Sequence, residues 1–453
     1  MGILIAMLAV LGWGAILLRF SAQRDLDQRQ AREEQSKLQS PDVTQTWPAL
    51  AVIIPAREEE AVIHDSLISL MAQDYPSPWH VVLVDDHSGD GTVETALRAA
   101  EEMGAKDHMT VVQAPTLPPG WRGKTWAMET GWRYVQQAFP DVEFILFTDA
   151  DIAHAPDGSG LRRLVRAAVD KKLDLVSRLV RFPVEHWAER LILPAYVFFF
   201  RLLYSFHHIN DPGDKASGAA GGIMLIRRAM MEKLHGLSLI GHELIDDCAL
   251  AFAVKAEGGR LQLALDSAGS TSMRRFDSLS GLRNMITRSA FDQLHYSWGH
   301  LALAMLAMAA LCLAPPLLFL LDGGWLPTLV GAALFGGTWF GLRKLHEMKR
   351  PLPTNAEPFV YGLAALLVLV VLIQSGVGLA GYLGLAAWIG AAIAYRWGAP
   401  GYFGTDMGPF SFLPLGEMSL PAASAVFMAA TLESAWRHRN NQPVKWKGRE
   451  TKI

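Results

Sequence analysis

Residues 81–92 read VVLVDDHSGDGT: four apolar residues in a row, two carboxylates, then a glycine-rich turn. An unbroken apolar run, rather than an alternating one, fits a strand covered on both faces, as in parallel sheets. Gly89 and Gly91 permit a tight loop, and Asp90 or Thr92 offers a cap for the next helix. Strand, acids, turn and helix form one half of a β-α-β unit, and ligands of such sheets sit at the carboxyl ends of the strands.

The same alternation runs outward on both sides. LAVIIP, HVVLV, MTVVQ, FILFT and DLVSRLV are short apolar runs, separated by helical patterns near residues 60–72, 92–103, 124–138 and 159–171. The expected class is α/β with a mostly parallel sheet.

Three further stretches carry chemistry. FTDADIAHAP, residues 147–156, comes directly after the run VEFILF. In extended chain Asp149 and Asp151 share one face about 7 Å apart while Ala150 points away. Hard oxygen ligands so spaced suit Mg²⁺ or Mn²⁺ on a diphosphate, and the pair equally fits a helix cap or turn. In GHELIDDCALAFAVKAEG, residues 241–258, Asp246 and Asp247 stand where a helix begins. The helix dipole stabilises acids there, and one of them is also placed to be a general base. In GWRGKTWAMETG, residues 120–131, Lys124 is either an exposed lysine or a point charge for a phosphate. At the opening stretch, Asp85 and Asp86 serve the turn, or Asp86 accepts hydrogen bonds from a nucleotide base. GAAGGIMLIRR, residues 218–228, has small residues where a ligand can approach backbone, or where elements simply pack.

Other classes drop out. No GxGxxG or GxxxxGK[ST] pattern occurs at these turns, and the fourteen histidines include no HExxH, so neither a dinucleotide site, a P-loop nor a zinc site is inferred. Two cysteines, Cys248 and Cys312, make no disulfide framework. A net charge of -3 gives no basic field for nucleic acid.

The 453 residues exceed one core, and 51% are hydrophobic. Residues 1–20 form an apolar stretch read as an uncleaved transmembrane anchor rather than a signal peptide, with Arg19 and Arg24 placing the adjoining domain in the cytoplasm. A polar linker or short exposed helix over 21–48 leads to the α/β domain at 49–298. Apolar runs at 299–321, 325–342, 358–377, 379–396 and 411–435 make a multi-span region over 299–436, and 437–453 is a basic cytoplasmic tail. The run at 411–435 carries Pro414, Glu417 and Pro421 and is expected to lie in the interface or re-enter, which also lets the basic loop at Arg343, Lys344, Lys349 and Arg350 share the tail's side. AYVFFFRLLYSF, residues 195–206, fits an interfacial helix or a core helix. Residues 301–321, 325–342 and 358–395 hold no Asp, Glu, Lys or Arg, which argues against a transporter.

PAREEEAVI, LVDDHSGDGT, GKTWAMETG, TDADI, GGIMLIRR and LIDDCALA, in that order, resemble a family 2 glycosyltransferase of the GT-A fold over about residues 50–298. The anchor, this domain, the C-terminal spans and the closing WKGRE are similar to the hopene-associated glycosyltransferases, and more distantly to ceramide glucosyltransferases. The resemblance implies a bacterial inner-membrane enzyme that moves a sugar from a UDP-sugar to a lipid, such as a hopanoid, with inversion; an inactive membrane scaffold is the competing class. It implies Asp86 on uracil, Asp149 and Asp151 on Mg²⁺ or Mn²⁺, Asp149 also near the donor, Lys124 near the donor phosphates, Asp247 as base and Asp246 in the Glu position of a Glu-Asp motif. Where related polymer synthases carry Q/RxxRW, RNMITRSAFDQL offers Arg288 followed by Ser289, with Met285 in the Gln/Arg position. Arg288 remains a substrate-binding candidate, and processive polymerisation is not expected.

Overall fold

The computed structural model describes residues 1–39, 47–326, 329–330, 371–372, 376–402, 416–442, 444–446 and 449–451. Most of the apolar runs 325–342 and 358–377, the basic loop of Arg343, Lys344, Lys349 and Arg350, Pro414, and Lys447 of the tail lie outside the described residues. The chain divides into two compact units: residues 1–22, 187–199 and 282–435 form one, and 23–186, 200–281 and 436–453 the other.

The second unit is built on a seven-stranded sheet. Helix α1 spans Gly2–Gln39 and contributes its later part here. Then come β1 (Leu50–Ala56), α2 (Glu60–Met71), β2 (Trp79–Asp85), α3 (Thr92–Glu102), β3 (Met109–Gln113), α4 (Gly123–Ala138) and β4 (Phe144–Thr148). The short β5 (Ile152–Ala153), α5 (Gly160–Asp170), β6 (Leu175–Leu179), α6 (Trp187–Leu203), α7 (Phe206–Asn210), β7 (Ile223–Arg227), α8 (Arg228–Lys233), α9 (Asp246–Ala256), β8 (Leu261–Leu265), β9 (Thr271–Ser272) and α10 (Leu279–Ser289) continue the chain. The strand order is β3-β2-β1-β4-β7-β6-β8. β1 runs parallel to β2 and β4, β2 to β3, and β6 to β8, whereas β7 is antiparallel to β4 and β6. This is the α/β, mostly parallel sheet expected, with one inverted strand that the apolar runs do not reveal.

Every residue of β1 and β4 is buried, which is why these runs do not alternate. Pro55 is tolerated in central β1 because pairing to β4 stops at Ile53↔Phe147, so its missing N–H removes no bond on that side. Ile63, Leu67 and Leu70 of α2 bury one helical face in the same core as Val52, Ile54, Val81 and Leu83, each such side chain contributing about 1.5–3 kcal/mol. α4 lies close on the sheet: a Cβ at Gly131 would stand 2.5 Å from Ile53 Cγ2 and 3.0 Å from Val84 Cγ2. Glycine in mid-helix costs about 1 kcal/mol relative to alanine, and this close approach offsets it.

Residues 21–39 continue α1 without a break, where the sequence suggests a solvated linker or short helix. The reason is a buried polar clasp. Glu34 Oε1 accepts from Arg178 Nη2 at 2.8 Å and Glu34 Oε2 from Ser267 at 2.7 Å, with Arg178 only 2% exposed.

In the chain, three helices among the described residues are long and apolar enough to cross a membrane: Gly2–Ser36, Trp298–Gly323 and Leu379–Gly398. The middle one contains widened π turns on either side of Pro315 and Pro316, whose missing N–H groups break the regular ladder. Phe198 of α6, from the aromatic stretch, packs within the first unit against Phe20 and Tyr395, with ring centroids 5.4 Å apart in each case. Within the run at 411–435, the residues described from 416 on form a helix at Leu420–Arg439, preceded by buried Glu417, which pairs with Arg396 at 3.0 Å.

Candidate active site

Because β1, β2, β3 and β4 are parallel, their carboxyl ends form one edge, and this edge receives Arg57, Asp86, Ala114 and Asp149. The inverted β7 begins at the same edge. Its Ile223 pairs with Thr148, and Asp149 N and Thr148 Oγ1 both donate to the Gly222 carbonyl, at 3.3 and 2.9 Å. Gly221 and Gly222 therefore lie beside Asp149.

Two ties bring the other acids in. Arg122, just before α4, donates its N–H to the Gly241 carbonyl at 2.7 Å and its Nε–H to the His242 carbonyl at 3.1 Å. Buried Glu129 of α4 accepts from Leu237 N at 2.8 Å. The start of α4 is thus held against the segment that leads into α9, and Lys124 meets Asp246.

Lys124 Nζ lies 2.9 Å from Asp149 Oδ1 and 3.2 Å from Asp246 Oδ2. Burial works against its ammonium, but Asp149 and Asp246, with Asp247 behind them, outweigh burial and hold the lysine above its usual range. Asp247 Oδ2 accepts from Gly221 N and its Oδ1 from Cys248 N, both at 2.7 Å. Burial first, then the charge of Asp246, pushes Asp247 up to about 6 against the pull of Lys124 and the two N–H groups. A carboxylate so raised is matched to accepting a proton near neutral pH. Burial pushes the adjacent Cys248 thiol well above its usual range, with Asp247 adding to it, so it is no thiolate nucleophile.

The acid pairs divide their work. Asp85 is turn chemistry: its carboxylate accepts from Ser88 N at 3.2 Å and from Gln113 Nε2 at 3.0 Å. Asp86 is fully buried, with Arg57 Nη1 4.0 Å from its Oδ2 and donating to its carbonyl. Asp90 serves the next turn, accepting from Thr92 N at 3.1 Å. Asp149 keeps Oδ2 unengaged among the described residues, while Asp151 Oδ2 is within 3.5 Å of Ser272 Oγ. Asp149 and Asp151 are not in extended chain as the spacing suggests: β4 ends at Thr148, and the two acids lie in a turn in which Ile152 N donates to the Asp149 carbonyl at 3.3 Å. Their carboxylates are hard oxygen donors of the kind Mg²⁺ or Mn²⁺ takes together with phosphate oxygens and water.

Of the residues singled out from sequence, Lys124, Asp149, Asp246 and Asp247 form one cluster, and Asp86 and Asp151 come after strands of the same edge. Arg288, on α10, belongs to the first unit, where its Nε is buried with no hydrogen-bond partner among the described residues. Arg57, Arg122 and Gly221 lie in the stretches PAREEEAVI, GWRGKTWAMETG and GAAGGIMLIRR, but no role falls to any of them individually from sequence; a lone arginine after a strand and a glycine among small residues carry little signal before the fold is known.

Residues 51–235 match the model of Glycosyl transferase family 2. Among solved structures, a mannosyltransferase from Pyrobaculum calidifontis in complex with GDP-Man and Mn²⁺ is similar at 19% identity and a TM-score of 0.49, over 96% of this chain and 99% of that one. TarS of S. aureus is similar at 19% identity and a TM-score of 0.33, over 55% of this chain and 41% of that one. A glucosyl-3-phosphoglycerate synthase of M. tuberculosis is similar at 17% identity and a TM-score of 0.36, over 54% and 80%. No curated protein matches the chain. Over residues 51–235 the chain thus carries a Glycosyl transferase family 2 domain, and it is a glycosyltransferase.

Proposed function

We propose that the protein transfers a sugar from a nucleoside-diphosphate donor, with UDP as the nucleotide, to a hydroxyl of a membrane lipid, with inversion at the anomeric carbon. The observation that carries this reading is the cluster in which Asp247, oriented by two N–H groups and raised to about 6, sits beside the Lys124–Asp149 pair.

In this reading Asp247 takes the acceptor proton while the acceptor oxygen forms its bond to C1 and the bond from C1 to the diphosphate oxygen breaks. Lys124 turns from its carboxylates toward the leaving phosphates, and Asp246 holds it within reach. Asp86 receives the base of the nucleotide. Asp149 and Asp151 would hold Mg²⁺ or Mn²⁺, which when bound supplies positive charge to the departing diphosphate. Arg288 is assigned to substrate.

A lipid acceptor is supported by the three apolar helices, and a hopanoid by the order of motifs and spans along the chain. A bacterial inner membrane with the domain in the cytoplasm is supported by Arg19 and Arg24 at the end of the first apolar stretch.

The test incubates purified full-length protein with labelled UDP- or GDP-sugars, Mg²⁺ or Mn²⁺, and hopanoid or other lipid extracts. Label is expected in the lipid phase with a UDP-sugar. No labelled lipid with any donor sinks the lipid reading; consumption of only the GDP-sugar overturns the choice of nucleotide.

A further inference from the structure

A cavity of about 710 Å³ opens in the α/β unit away from the acid cluster, between the later part of α1, the turn after α5, α7 and the start of β8. Its volume is that of a ligand site. We propose that it binds the phosphate-bearing headgroup of an anionic phospholipid.

Two independent observations point to an anionic polar ligand. Gln23 is 3% exposed, lines the cavity, and among the described residues has neither Oε1 nor Nε2 hydrogen-bonded. A buried amide left unpaired is costly, so it calls for a polar partner in the space it faces. Arg29, Lys172 and Arg260 also line the cavity, and make no side-chain ion pair or hydrogen bond among the described residues.

The acids of the wall do not cancel them. Asp27 is paired with Arg201 at 2.5 Å, Glu33 with Lys171 at 3.5 Å, and Asp170 lies 3.9 Å from Arg166. Asp211 Oδ1 accepts from Gly213 N at 2.9 Å. Three free cations facing one such acid leave a positive cavity, and Leu26 and Phe206 give it an apolar side.

Chain connectivity selects a lipid. The apolar stretch of α1 ends at Phe20, three residues before Gln23, so Gln23 stays within about 10 Å of the membrane exit. The inference rests on that stretch being inserted, which is checked separately by fractionating the same preparation.

The experiment titrates the full chain in neutral detergent with dihexanoyl phosphatidylglycerol, dihexanoyl phosphatidylcholine and inorganic phosphate, following binding by calorimetry and Tm. The glycerol lipid is expected to bind and raise Tm, the choline lipid not. The triple variant Arg29→Gln, Lys172→Gln, Arg260→Gln should bind on the order of a hundredfold more weakly at unchanged Tm without lipid. Gln23→Leu should weaken binding while keeping the fold. Equal response to both lipids, no response to either, or undiminished binding by the triple variant overturns the site; phosphate binding as tightly as the glycerol lipid overturns the lipid assignment. A soluble chain with intact headgroup binding would overturn the insertion premise alone.

Discussion

The N–H of Gly221 donates to Asp247 Oδ2 at 2.7 Å, and a Cβ at Gly221 would stand 3.2 Å from both that oxygen and Lys124 Nζ. One backbone position thus sets where the carboxylate and the ammonium meet. Gly221→Ala should fold, since its φ is not in the left-handed region, yet lower kcat/KM by about tenfold or more, because misplacement near 1 Å costs up to about a hundredfold. Unchanged kinetics in a folded variant would remove Gly221 from the site.

Asp247→Asn keeps shape and can still accept from Gly221, but cannot take a proton. The expected loss in kcat is about 10²–10⁴-fold, with donor binding retained by calorimetry. Full activity in this variant contradicts the assignment of the base.

Acid should act on rate and stability in opposite directions. With Asp247 at about 6 in the folded state and near 3.9 when unfolded, the folded protein binds the extra proton between these values. The contribution of this group to stability is therefore greatest below about pH 4 and is lost as pH rises through about 6. Activity moves oppositely: log kcat/KM falls below about pH 6 as the base is protonated. Lys124→Met, which removes the cation that lowers Asp247, should shift this limb upward; Asp246→Asn should shift it downward. A limb that moves the other way in either variant refutes the coupling.

Chelation tests the carboxylates at the end of β4. EDTA should abolish transfer and Mg²⁺ or Mn²⁺ restore it, with Asp151→Asn needing more metal for half-maximal rate. Transfer that persists after exhaustive chelation rules out the metal reading.

Glu34→Ala leaves Arg178, 2% exposed, without its carboxylate partner. Breaking a buried pair costs about 3–5 kcal/mol, which should appear as a lower Tm of the full chain, while Glu33→Ala on the exposed side should change little. Equal Tm values for both variants would mean that α1 is not clasped to the sheet.

The layout of the sheet was legible because its signals are local. Unbroken apolar runs such as FILFT mark buried strands, and acids after them fall at strand ends whatever the rest of the chain does. The helices at Glu60–Met71, Thr92–Glu102 and Gly160–Asp170 were legible for the same reason. The polar stretch after the anchor is a helix exposed over most of its length; its composition could not show that Glu34 is buried, paired with an arginine 144 positions away, because charge reports average exposure.

By itself the sequence determined which residues can carry charge at the ends of which strands, since a carboxylate after an apolar run cannot stay unpaired in the core. Only the tertiary structure decided which of those charges meet. Inversion of β7 sets Gly221 beside Asp149, and the tie from Arg122 to Gly241 brings Lys124 to Asp246. These partners are far apart along the chain, and their proximity depends on strand order and direction, which no short stretch of sequence encodes.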